Sequence, residues 1–407
     1  VLDNVITNNQ TRFELAEDAT VTRNAGFTLG GINFANKTFT LGSATTDMTL
    51  VDNSSSSSSN ASPPGTFATK LADLTFISSG AANITTGTTI TSTGGKFSFA
   101  KGIKMNGATI SLTDTTLAIG DNLTKTGGTL TLNQADLELT SDLTLNSDAA
   151  MAFDTFVPNA KNLELASSST AEVSLGNLNI ASSSIDVKGG TLNITGGSVG
   201  ANGSLEIGGS GTLKLGGNIA VTGIINLNDG ATTTFAGNKI DVSGGTLKLA
   251  GTHSLDSITT NDQSKLQINN SANVSRSDAG TSTLGSLTYS QAGNSGSLSL
   301  SASNMGLTIV SAMQVSGASL SHSNGILTFQ SAPSLSNSSS LSVSNGELVL
   351  ANGGTVNGSS LQLTASKFKP AGSVSVTNGG TFALNGASSV VLKGDTTLNQ
   401  AGSVSWP

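Results

Sequence analysis

The chain has 407 residues, of which 36% are hydrophobic, 11% charged and 4% aromatic, with 49 glycines, no cysteine and a formal net charge of −7. Eighteen basic residues spread over this length exclude the clustered Lys and Arg that phosphate recognition needs, so no nucleic-acid partner is expected. The lack of cysteine removes disulfides, thiolate metal sites and thiol nucleophiles together. No apolar run approaches the ~20 residues of a membrane helix, so no membrane insertion of this segment is expected.

The first stretch, residues 1–28, is comparatively rich in charge (Asp3, Arg12, Glu14, Glu17, Asp18, Arg23) and is expected to form an N-terminal cap. From 29 to 407 the pattern predicts one continuous repeat structure with two loop insertions. The insertion near 53–65 is a Ser- and Asn-rich tract that contains Pro63 and Pro64, which cannot join a strand ladder. The one near 151–161 carries Phe153, Phe156 and Pro158.

Between them the rhythm is clearest. Phe97/Phe99, Ile103/Met105, Ile110/Leu112, Leu117/Ile119, Leu123, Leu130/Leu132, Leu137/Leu139 and Leu143/Leu145 start 6, 7, 7, 6, 7, 7 and 6 residues apart. Each doublet has one intervening residue, so both apolar side chains leave the same face of an extended strand. Gly, Asn, Asp or Ser fills most of the gaps, and these residues turn a chain sharply. The beat continues through Ile185/Val187, Leu192/Ile194, Leu205/Ile207 and Leu213/Leu215, thins between about 252 and 289, and resumes from Leu298/Leu300 to Val404/Trp406. No long stretch supplies apolar residues at helical spacing. Three steps add to about 20 residues, which predicts an all-β, parallel β-solenoid with three strands per coil and about 20 residues per coil. One coil cannot cover its own ordering entropy by apolar burial, so stability must come from stacking on neighbours.

Residues able to carry chemistry are sparse. His253 and His322, the two histidines, sit among Gly, Thr and Ser and are expected to be exposed turn residues. Asp136, Glu138, Asp142 and Asp148 form the densest carboxylate group. Asp136 and Glu138 flank Leu137 on one strand, a placement open to acid–base glycosidic chemistry, but a solvated charged face is the preferred reading. No catalytic, cofactor-binding or metal-ligating residue is therefore assigned, and the chain is expected not to be an enzyme. Outward Thr pairs such as Thr38/Thr40 and Thr129/Thr131 suggest an ice-binding face. Lys214, Lys248, Asn193 and Ala383 at equivalent outward positions argue against a uniform array.

In its apolar doublets, its Gly/Ser/Thr/Asn-rich composition and its lack of cysteine, nearly the whole chain resembles the passenger regions of bacterial autotransporters and filamentous-haemagglutinin-like adhesins. That resemblance implies a right-handed parallel β-helix on a bacterial cell surface or outside the cell. It also implies a non-catalytic role as an adhesin or a structural fibre or stalk element. The partners expected are further copies of the chain, in a fibre or surface layer, or a cell-surface or glycan receptor. The alternative reading is a polysaccharide-degrading β-helix enzyme.

Overall fold

A computed structural model describes residues 109–148, 150–269 and 319–392 without a break. It also describes shorter stretches, mostly single strands, between 12 and 107, between 273 and 317, and from 397 to 405. All regular structure among these residues is β-strand, and the ladders are parallel. The chain forms two compact units. One comprises residues 1–198, 202–217 and 232–236, and the other 199–201, 218–231 and 237–407. Each is a parallel β-solenoid.

In the first unit, the chain runs through strands Thr89–Thr93, Lys96–Phe99 and Ile103–Asn106, after which Thr109–Thr113 pairs with the first of them. Three strands therefore complete one coil. The next strand, Thr116–Thr126, is long enough to pair with both Lys96–Phe99 and Ile103–Asn106. Residues about 20 apart lie over one another: Leu117 pairs with Leu137, and Leu137 with Phe156. Val173, Leu192 and Leu213 form a second column. Leu192 and Ile194 are buried while Thr191 and Asn193 are half-exposed, as the period of two requires. Phe97, Met105, Ile110 and Leu123 are among the residues around an apolar void of about 10 Å³. That is at most one water's worth of space, with no polar partner to hold it.

The second unit repeats the plan. Ser340–Ser344, Glu347–Leu350 and Gly354–Asn357 make one coil, and Ser360–Thr364 returns to pair with Ser340–Ser344. Leu320, Leu341, Leu361 and Phe382 stack in register, as do Leu327, Leu348 and Phe368. Phe368 and Phe382 meet in the interior with ring centroids 5.2 Å apart and planes tilted by 56°, a favoured aromatic geometry.

The corners explain the polar part of the repeat. Asp114 and Asn177 in the first unit, and Asn345 and Asn378 in the second, adopt positive φ, which Asn and Asp tolerate better than other side-chain-bearing residues. Buried serines tie corners to the coil beneath. Ser169 Oγ donates to the Ser147 carbonyl at 3.1 Å, Ser339 to Val315 at 3.1 Å, Ser366 to Val343 at 3.1 Å, and Ser264 to Val242. Each bond satisfies a hydroxyl that would otherwise be buried at a cost of ~1–3 kcal/mol.

The N-terminal stretch expected as a cap contains strands Arg12–Glu14, Ala19–Val21 and Phe27–Leu29, each already paired with a strand one coil on. The tract 53–65 lies outside the described residues. Around it Phe39 pairs with Phe67 and Met48 with Leu74, steps of 28 and 26 residues against about 20 for most coils. The stretch 151–161 does not loop out, contrary to expectation. Met151–Phe153 and Phe156–Val157 are strands, Met151, Phe153 and Phe156 are buried, and Leu137 pairs with Phe156 at an ordinary coil step. Its aromatic residues fill the core, and only Pro158–Lys161 turns, closed by the Lys161 N–H donating to the Pro158 carbonyl at 2.8 Å.

Two substitution pairs test this packing. Leu192→Ala should cost about 2–5 kcal/mol by opening a cavity between Val173 and Leu213, whereas Thr191→Ser should be nearly neutral in denaturant titrations. Gly353 and Gly379 share positive φ. A Cβ at Gly353 would lie 1.9 Å from the Ser373 carbonyl oxygen, and one at Gly379 would meet nothing within 4 Å. Gly353→Ala should therefore lower the melting temperature clearly more than Gly379→Ala.

Candidate functional site

The carboxylates that stand out in the sequence are engaged in holding coils together. Asp136 and Glu138 are half-exposed on either side of buried Leu137. Glu138 accepts hydrogen bonds from Lys96 Nζ at 2.7 Å and Asn159 Nδ2 at 3.4 Å. Lys96 belongs to the coil two below, since Ser98, Ala118 and Glu138 are consecutive members of one column. The ion pair closes over Ala118, which has an outward position yet is 0% exposed. Lys214 reaches Glu172 at 3.1 Å in the same two-coil manner. Asp142 accepts the Asn162 N–H at 2.8 Å. Asp148 accepts from Lys125 Nζ at 3.0 Å, and this hydrogen bond and charge hold its carboxyl below the usual range. Lys125 itself occupies an inward position and is buried, so its stem packs as an apolar residue while its head finds Asp148.

A second acidic group escapes a reading of the sequence alone. Glu164, Asp186 and Glu206 stand directly over one another. Lys188 Nζ lies 2.7 Å from Glu164 and 3.5 Å from Asp186. Burial pushes the Asp186 carboxyl up, Glu206 and Glu164 add to this, and Lys188 opposes it. The Lys188 ammonium is raised chiefly by its bond to Glu164. A signal for the group does exist in the sequence: each acid is the middle residue of an apolar doublet, at 163–165, 185–187 and 205–207. Among the described residues no group of three or more His, Asp or Glu is arranged to hold a metal ion.

Both histidines correct the expectation of exposed turns. His253 lies on strand Thr252–Ser254 at 5% exposure, paired with Val274, and its ring Nε2–H donates to the Ala250 carbonyl at 2.7 Å. His322 lies on Ser319–Phe329 at 1% exposure, between Leu300 and Val343 in its column. Neither ring nitrogen of His322 has a hydrogen-bond partner. Burial pushes its imidazole below the ordinary range, and the Gly325 backbone opposes this only in part. Both residues fill apolar slots: Leu320 and His322 form a doublet like Leu341 and Val343 in the next coil. Polarity alone suggests a turn, and the spacing is the better guide.

The register also sorts the outward side chains by sheet. In the first unit a six-stranded sheet comprises Ala19–Val21, Thr38–Leu41, Thr66–Thr69, Thr89–Thr93, Thr109–Thr113 and Thr129–Asn133. None of these strands contains a charged residue. Thr38, Thr66, Thr89, Thr109 and Thr129 form one column. Thr20, Thr40, Ala68, Thr91, Ser111 and Thr131 form the next, two residues along. Between them runs the apolar column Phe39, Phe67, Ile90, Ile110 and Leu130. Where side chains are described, Ile110 and Leu112 are buried, Thr109, Ser111 and Thr113 are half-exposed, and Thr129 and Thr131 are exposed. In the second unit the comparable columns are mostly serine: Ser297, Ser319, Ser340, Ser360 and Thr381 form one, and Ser299, Ser321, Ser342, Gln362 and Ala383 the next.

The residues that argued against a Thr array belong elsewhere. Asn193 and Lys214 lie in a different sheet of the first unit. Lys248, on Thr246–Leu249, and Ala383, on Thr381–Asn385, lie in sheets of the second. Reading every outward position as one set mixes faces that the fold keeps apart.

No protein-family description, curated protein or solved structure matches the chain.

The buried imidazole of His322 gives a pH prediction. Its pKa is lower folded than unfolded, so the unfolded chain binds the extra proton. The stability it permits is full above about pH 6.5, the ordinary histidine value, and is lost as pH falls below that toward the depressed folded value. Thermal melts at pH 7.5 and 5 should show His322→Leu losing less stability on acidification than the parent chain.

Proposed function

We propose that the chain is a non-catalytic β-solenoid, secreted or displayed on a bacterial surface, which acts as an adhesin or as a structural element of a fibre or stalk. The observation that carries this reading is the division of labour by register. Inward positions are mostly apolar, corners are closed by buried serines, and outward columns such as Thr38, Thr66, Thr89, Thr109 and Thr129 repeat a hydroxyl side chain without charge. Such a face offers many weak, identical contacts, which suits adhesion to an extended repetitive surface better than recognition of one small molecule. The carboxylates nearest to a glycosidase arrangement are tied to Lys96, Asn159, Asn162 and Lys125, an arrangement that serves coil-to-coil cohesion.

The test is a surface-binding panel with a parallel hydrolysis assay. Immobilised full-length chain should retain cells, extracted glycans or further copies of itself, and should release no new reducing ends from polysaccharides. Polysaccharide cleavage that disappears in Glu138→Gln would overturn the reading in favour of the enzyme alternative.

A further inference from the structure

We infer that the threonine face of the first unit is a binding site for crystalline ice. The inference rests on the reading of the chain as a presenting scaffold and names what one face of it takes. Paired strands place Thr109 beside Thr129 at ~4.8 Å, and Ser111 beside Thr131 repeats that step about 6.6 Å along the strands. Oxygen rows exposed on the faces of hexagonal ice recur at spacings close to these in two perpendicular directions. A face with this double repeat can therefore order water into rows that continue the crystal.

The side-chain chemistry fits the same ligand. Thr is β-branched and restricted at χ1, so the methyl and hydroxyl of Thr109, Thr129 and Thr131 are held in a few orientations. The methyl encourages ordered first-shell water and the hydroxyl anchors it by hydrogen bonds. Because the array is built into strands, little conformational freedom remains to be lost on binding. Strands Thr109–Thr113 and Thr129–Asn133 carry no charged or aromatic residue, so the features that would favour an ionic ligand or a stacked sugar ring are missing from these rungs. The serines of the second unit have hydroxyls in register but lack the methyls. They serve as an internal control.

The experiment uses the full chain and ice itself. Partition of the protein into a slowly growing ice shell is measured together with recrystallisation in a frozen sucrose solution. The parent chain should enter the ice and keep crystals small. The double variant Thr109→Lys/Thr129→Lys, which puts two charged side chains on the described rungs of the face, should lose ice uptake roughly tenfold or more. Ser342→Lys should behave as the parent, and circular dichroism melts establish that every variant is folded. A folded parent chain excluded from ice overturns the inference, as does an equal loss in Ser342→Lys. The surface panel is scored separately, so exclusion from ice leaves the scaffold reading standing. Ice uptake accompanied by polysaccharide cleavage would keep this inference and remove that reading.

Discussion

Everything in this protein depends on one constraint: each strand must hydrogen-bond, in register, to the strand one coil away. That requirement makes the position within a coil of about 20 residues, more than the identity of a residue, decide its surroundings. Leu117 is buried because Leu137 is stacked on it, and Thr109 lies beside Thr129 for the same reason. A parallel ladder repeated in this way turns a one-dimensional sequence period into columns. Each column then has a single environment to satisfy, apolar inside and solvated outside.

How legible this is in the sequence depends on which question is asked. The doublets reveal the strands, the coil length and the core from Phe97 onward, because a period of two and a period of about 20 are both visible without coordinates. Phe153 and Phe156 are harder to read, since aromatics beside a proline look like a loop until the strands on either side fix their register. His253 and His322 mislead for a related reason. Their polarity points to a turn, although both sit where an apolar partner of a doublet would. The outward faces are the least legible. Which threonine lies over which depends on offsets that vary from 20 to 28 where turns lengthen. Only the ladder separates the threonine face from the sheets that hold Lys214 and Lys248.

The distribution of charge obeys the same rule. A carboxylate in an outward column has the equivalent residues of the coils above and below as close neighbours, so like charges stack unless a cation is supplied. In the stack of Glu164, Asp186 and Glu206, burial pushes the Asp186 carboxyl up, its acidic neighbours add to this, and Lys188 is placed to bridge Asp186 and Glu164. Hydroxyl columns avoid this difficulty, since each O–H can both donate and accept along the stack, as Ser340 does toward Ser319 at 2.8 Å.

The ion pairs of Lys96 with Glu138 and of Lys214 with Glu172 each leap over an intervening coil. In a stack bonded only to immediate neighbours, fraying proceeds coil by coil from whatever end is free. A clamp spanning two steps changes that arithmetic, because the coil between Lys96 and Glu138 cannot peel away without also breaking a contact to which it contributes no atoms. Both pairs are part-exposed and contribute about 0–1 kcal/mol each, so the clamp makes such a stretch fray slightly more cooperatively and leaves the single coil as the unit of rupture.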